Sequence, residues 1–283
     1  MRIDDNDMEK LVTGLAFAEG LRFLDGRLWF SDMYDRKVYT VDASNGKVIR
    51  AVETSDRPSG IVLAGGGRAF VTQQETRTIV EITPDGTVLP HADLSAIAEW
   101  HVNDMTSAPS GGFYVGNYGD DSVPPDAPHP AKLAHVSADG SVRAVAEDLH
   151  FANGMSMTDD ERTLLVAETR STPPRISAFD IGPAGDLGNR RIFAEFEGAR
   201  MPDGIALLPG GGLLVAMPFA SEIVRVSPQG EVTKTWTTSD FGMPFAVACD
   251  PATPCVFAAC SSSWEEDACL AARDSTIVKF PLR

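Results

Sequence analysis

Residues 202–230 read PDGIALLPGGGLLVAMPFASEIVRVSPQG. An apolar run, Gly204-Ile205-Ala206-Leu207, meets a glycine turn at Gly210-Gly211-Gly212. A second run, Leu213-Leu214-Val215-Ala216, is followed by a third, Glu222-Ile223-Val224-Arg225-Val226, and a turn at Pro228-Gln229-Gly230. Short β-branched runs cut by Gly and Pro are the mark of antiparallel strands in hairpins. The same order recurs along the chain. Gly60-Ile61-Val62-Leu63 leads to the turn at 65–67, Ala69-Phe70-Val71-Thr72, Thr78 to Ile82, and Pro84-Asp85-Gly86. Further copies start near Gly20, Asp104, Gly154 and Ala246, so that six units follow one another about 40–50 residues apart.

Units of this length with several strands each, and no long helical periodicity, predict an all-β, six-bladed β-propeller. The six units predict one domain over residues 1–283. A ring of small sheets leaves few open strand edges, which suits so β-rich a chain. The sixth unit runs out at Leu282-Arg283 after its third strand, so the segment Glu9-Lys10-Leu11-Val12-Thr13 is expected to supply the missing outer strand and close the ring. The stretch 120–130, DDSVPPDAPHP, falls inside the third unit and reads as a loop on one face.

In a closed ring the first strand of each unit lines a central channel, and the residue before it stands at one mouth. Those residues are Glu19, Ser59, Asn103, Asn153, Asp203 and Phe245. Four of the six carry a carboxylate or a carboxamide. Turn chemistry accounts for Asn and Asp before Gly but not for Glu19. Two carboxylates and two amides converging on one point predict a central site for a hard divalent cation.

Composition narrows the class. The chain is 43% hydrophobic, enough for a sizeable core. A formal net charge of -16 repels nucleic acid and anionic membrane and attracts cations, so neither is expected as a partner. The N-terminus, MRIDDNDMEK, lacks the apolar segment of a secretory signal, and no apolar run is long enough to span a bilayer. A cytoplasmic location is the expectation. Cys249, Cys255, Cys260 and Cys269 have neither zinc spacing nor a neighbouring His and read as free thiols, with a local disulfide as the alternative. Gly65–Gly67 and Gly210–Gly212 have no following helix and are hairpin turns rather than phosphate loops, and no nucleophile elbow surrounds Ser171 or Ser261 to Ser263.

Glu19-Gly20, Val102-Asn103-Asp104, Ala152-Asn153-Gly154-Met155 and Pro202-Asp203-Gly204-Ile205-Ala206 resemble the signatures of the regucalcin/gluconolactonase family, in order and spacing over essentially the whole chain. The resemblance implies a six-bladed propeller with one catalytic divalent metal, and many family members hydrolyse lactones. It implies that Glu19, Asn153 and Asp203 ligate the metal, and that Asn103 ligates it or holds substrate and water beside it. Asp203 is also the implied general base. Calcium is the expected ion, since every donor is oxygen. Zinc, manganese or magnesium could substitute. Sugar-lactonase members usually carry an Arg two residues before the Asn, where this chain has His101. A shorter, titratable imidazole replaces a permanently charged fork, which puts a sugar lactone in doubt and makes His101 a candidate substrate contact. Tyr118, with Trp100, Met155, Met217, Phe219 and Phe245, falls near the expected channel-mouth loops and could form an apolar wall. The expected partner is therefore a small-molecule lactone or ester. Hydrolysis of organophosphates or aryl esters by the same site, or a non-catalytic calcium- or ligand-binding propeller, are the alternatives.

Overall fold

The computed structural model describes residues 8–123, 126 and 128–282. Its strands form six four-stranded antiparallel sheets, the blades of a six-bladed β-propeller. Blade 1 comprises Ala18–Leu24, Arg27–Asp32, Lys37–Asp42 and Val48–Glu53. Blade 2 comprises Pro58–Ala64, Arg68–Gln73, Thr78–Ile82 and Val88–Asp93. Blade 3 is Val102–Ser107, Phe113–Asn117, Ala131–Val136 and Val142–Leu149, and blade 4 is Ala152–Met157, Thr163–Glu168, Arg175–Ile181 and Leu187–Glu195. Blade 5 is Ile205–Leu207, Leu213–Met217, Glu222–Val226 and Val232–Thr237. Blade 6 takes three strands from the C-terminus, Met243–Asp250, Cys255–Ser261 and Ser275–Pro281. Its fourth is the N-terminal strand Glu9–Leu15, paired antiparallel with Ser275–Pro281. The expected closing strand is therefore present, two residues longer than the sequence suggested. Residues 124, 125 and 127 of the expected loop at 120–130 lie outside the described residues.

The described residues group into two compact units of three blades each. One holds blades 5, 6 and 1, from both ends of the chain, and the other holds blades 2, 3 and 4. In each unit the core lies between neighbouring sheets. In the first, Leu21, Leu28 and Phe30 of blade 1 pack on Ala248, Phe257 and Ile277 of blade 6. In the second, Tyr114 and Leu133 of blade 3 pack on Met155, Leu164 and Val166 of blade 4. Side chains of this size contribute about 1.5–3 kcal/mol each when fully buried. Two glycines let inner strands approach closely. A Cβ on Gly60 would lie 2.5 Å from the Met105 backbone nitrogen, and one on Gly204 would lie 2.7 Å from the Ala246 Cα.

Between the second and third strands of blade 6 stands a short helix, Glu266–Ala272. Glu266 and Asp267 in its first turn complement the helix dipole, and Arg273 ends it in a left-handed conformation. Arg57 reaches Glu266 at 2.5 Å, and Arg273 reaches Asp35 at 3.3 Å, so the insertion is tied to blade 1 and the segment after it.

Candidate functional site

The structure differs from the sequence reading in where the six expected positions fall on their inner strands. Only Asp203 precedes its strand. Glu19, Ser59, Asn103 and Asn153 are the second residues of their inner strands, and Phe245 is the third. The reason is a β-bulge. Pairing slips by one residue between Glu19 and Arg22, between Val102 and Met105, between Ala152 and Met155, and between Pro244 and Ala246. A bulge takes a residue out of the ladder and re-aims its side chain. The strand begins before the candidate residue and resumes after it.

In the unit of blades 2–4, three of these side chains form one hydrogen-bonded row. Ser59 Oγ donates to Asn103 Oδ1 at 3.1 Å, and Asn103 Nδ2 donates to Asn153 Oδ1 at 2.8 Å. Asn153 Nδ2 donates in turn to Thr169 Oγ1 at 3.1 Å. All four residues are buried. Thr72 Oγ1 donates to the Asn103 carbonyl at 2.7 Å and accepts from the Gly60 N–H at 2.8 Å, locking the two inner strands at this level. Ahead of Asn153, the Glu168 carboxylate accepts from the His150 N–H at 3.1 Å and from Arg190 at 2.6 Å. It also accepts from Arg175 Nε at 3.1 Å and from Ser177 Oγ. Burial pushes this carboxyl up, but Arg175, Ser177 and Arg190 outweigh it and hold it below its ordinary range.

His101 and Tyr118 meet in the same unit. Their rings stand edge to face with centroids 6.0 Å apart, and the Tyr118 N–H donates to the His101 carbonyl at 3.0 Å. Trp100 stacks on His101 at 4.5 Å, Phe151 stacks on Tyr118 at 4.2 Å, and Gln74 Nε2 donates to the Tyr118 hydroxyl at 3.1 Å. Phe151, Gln74 and Thr169 were not foreseen. Phe151 could have been: it stands two residues before Asn153, as His101 stands two before Asn103.

In the unit of blades 5, 6 and 1, Asp203 is buried and Glu19 half-buried. Glu19 Oε2 accepts from the Gly20 N–H at 2.9 Å. The segment ahead of Glu19 is held by Asp32, whose carboxylate accepts from the N–H groups of Ala16 and Phe17 at 3.1 and 2.8 Å. Burial raises the Asp32 carboxyl, and those two bonds only partly offset it. The Gly204 N–H donates to the Phe245 carbonyl at 2.9 Å, and the Phe245 ring lies 4.7 Å from that of Phe17. The chain segments beside Asp203 and Glu19 thus both meet Phe245 of blade 6. Of the other expected wall residues, Met155 and Met217 are core, while Phe219 is exposed and meets exposed Trp264 edge to face at 5.2 Å.

The donor set fits a hard cation in kind. Carboxamide oxygens are neutral hard donors with two lone pairs each, so Asn153 Oδ1 can accept from Asn103 and still face an ion. A carboxylate as buried as Asp203 is costly unless its charge is compensated, and a divalent cation would compensate it. Among the described residues no three of His, Cys, Asp and Glu gather as a metal-binding group. Two acids with two amides are a different kind of set. The four cysteines are free, and no helix among the described residues is long and apolar enough to cross a membrane.

A family model described as "SMP-30/Gluconolactonase/LRE-like region" matches residues 17–249. Lactonase drp35 of Staphylococcus haemolyticus (strain JCSC1435) is 27% identical over 237 residues, which cover 81% of this chain and 70% of that protein. Lactonase drp35 of Staphylococcus aureus (strain MRSA252) is 26% identical over 220 residues, 75% of this chain and 67% of that protein. Among solved structures, a luciferin-regenerating enzyme superposes with a TM-score of 0.81 at 20% identity, covering 97% of this chain and 94% of that one. A calcium-binding regucalcin from Agrobacterium tumefaciens gives 0.78 at 16% identity, with 96% and 92% covered. A gluconolactonase from Xanthomonas campestris gives 0.77 at 20% identity, with 98% and 89% covered. At these identities the solved structures speak for the fold.

Proposed function

From the premise that this chain belongs to the SMP-30/gluconolactonase/LRE-like family, we propose that it is a divalent-metal-dependent hydrolase that opens a lactone or related ester. The observation that carries the reading is the buried row Ser59–Asn103–Asn153, which joins polar side chains from the inner strands of three successive blades. Chains named lactonase drp35 lie among its relatives, which supports the reaction class. The proposed ligands are Glu19, Asn153 and Asp203, with Asn103 as a fourth ligand or as a holder of substrate and water. Calcium is the proposed ion because all the donors are oxygen, and zinc, manganese or magnesium can take its place. The six blades act as one domain in this reading, and the free thiols agree with a cytoplasmic protein.

When bound, the cation supplies positive charge for the lactone carbonyl oxygen as that oxygen becomes negative. The Asp203 carboxylate takes a proton from the attacking water, whose oxygen bonds to the carbonyl carbon. Asn103 orients that water or the substrate from the hydrogen-bonded row. The ring C–O bond then breaks, the leaving alkoxide takes the proton, and a hydroxy acid departs. His101 and Tyr118 contact the remainder of the substrate.

The test is a panel of lactones, aryl esters and phosphotriesters assayed with calcium, with chelator, and with Asp203→Ala. Lactone turnover that chelator abolishes and calcium restores is expected, and the variant should lose roughly a thousandfold or more in kcat. Turnover by a correctly folded Asp203→Ala protein at the wild-type rate would remove Asp203 from the mechanism. Metal binding without turnover of any ester would replace the enzyme by a binding protein.

A further inference from the structure

The residue two before each site position is a second equivalent set. In blade order it reads Phe17, Arg57, His101, Phe151, Met201 and Met243. Only Arg57 carries a permanent charge, and it is engaged by Glu266 at 2.5 Å. The rest are aromatic rings or thioethers. In the unit of blades 2–4 this layer continues into a row of rings, Trp100 on His101, His101 against Tyr118, and Tyr118 on Phe151. Trp100 at the end of the row is 39% exposed.

Phe151 has a backbone conformation that packing alone does not call for. Its φ is 59°, the left-handed region that a bulky residue rarely adopts. Three hydrogen bonds hold it there. The Thr169 N–H donates to the Phe151 carbonyl at 3.2 Å, the Arg170 N–H donates to the His150 carbonyl at 3.2 Å, and Glu168 accepts from the His150 N–H at 3.1 Å. A glycine would sit there without strain. A phenyl ring retained in a strained position, flat on a tyrosine and two residues from Asn153, is the kind of outlier that points to a ligand.

The geometry points to a lactone that bears an aromatic substituent as the substrate, its ring lying along the Trp100–His101–Tyr118–Phe151 row. This inference rests on the lactonase reading above. Flat π faces stack well on an aryl group. A polyhydroxylated lactone would bring several hydroxyls against this row, and buried hydroxyls without partners disfavour binding.

The experiment compares γ-phenyl-γ-butyrolactone, γ-butyrolactone and glucono-δ-lactone with the calcium-loaded full chain and with Phe151→Gly. The wild type should prefer the phenyl lactone over both others by roughly tenfold or more in kcat/KM. In Phe151→Gly the ratio for the phenyl over the unsubstituted lactone should collapse, with melting temperature little changed because glycine relieves the backbone. Saturation-transfer NMR on the phenyl protons reads binding apart from turnover. A preference for glucono-δ-lactone, or a variant with the wild-type ratio, overturns the inference. Saturation transfer that Phe151→Gly abolishes, with no lactone hydrolysed, would support the aromatic row and refute the lactonase reading. Neither turnover nor transfer would overturn both.

Discussion

Replacing Glu168 by Gln tests how the site is held. The carboxylate is fully buried and accepts from five donors: the His150 N–H, two guanidinium nitrogens of Arg175, one of Arg190 and the Ser177 hydroxyl. Glutamine keeps the shape but offers one acceptor oxygen, and its NH2 faces cationic donors. Breaking a buried ion pair by removing one partner costs about 3–5 kcal/mol. Arg175 and Arg190 retain 21% and 28% side-chain exposure and can recruit water. That places the loss near the lower end, about 3 kcal/mol, or a fall in melting temperature of roughly 6–12 °C. Urea unfolding of wild type and variant at pH 7 measures it. The pH dependence has a definite sign. The Glu168 carboxyl is held below its unfolded value of 4.5, so the unfolded chain takes up its proton first on acidification. The stability it contributes is full above that value and is lost as pH falls through the lowered folded value. The gap between wild type and variant should therefore shrink in acid. A loss below about 1 kcal/mol, or a gap that widens in acid, would refute the argument. Because the same carboxylate fixes the His150 N–H three residues before Asn153, kcat/KM should fall along with stability.

The remaining predictions concern specificity and the thiols. His101→Arg should raise kcat/KM on aldonolactones relative to aryl lactones, since a guanidinium can fork to sugar oxygens; an unchanged ratio in steady-state assays would place position 101 outside the substrate's reach. Burial pushes the thiols of Cys249 and Cys260 up to about 11 and about 12, so at pH 8 both should react far more slowly with an aromatic disulfide reagent in the native protein than in guanidinium. Rapid reaction of Cys260 in the native state would contradict its burial.

How much could be read in advance varied with how local the cause was. The three inner strands of each blade were legible because their apolar runs are cut by Gly, Pro and Asp turns. The outer strands of blades 1 to 5 were not. Leu187–Glu195 reads LGNRRIFAE, mostly exposed, and is extended because it pairs with Arg175–Ile181, not because of its own pattern. The helix Glu266–Ala272 is too short to show helical periodicity. His101 and Tyr118 were picked out singly, but their edge-to-face meeting follows from folding two separate segments of blade 3 together.

What the residues alone determined is the repeat, and with it the blades, the closing strand and the choice of Glu19, Ser59, Asn103, Asn153, Asp203 and Phe245 as candidate positions. Strand patterning and turn residues act over a few positions, so they survive in a linear text. Tertiary structure decided which of those side chains touch. A bulge exists only where a partner strand sets the register, the Asn103–Asn153 hydrogen bond needs two blades side by side, and Phe151 takes its left-handed backbone because hydrogen bonds from the Thr169 and Arg170 N–H groups, and one from the His150 N–H to Glu168, hold it there.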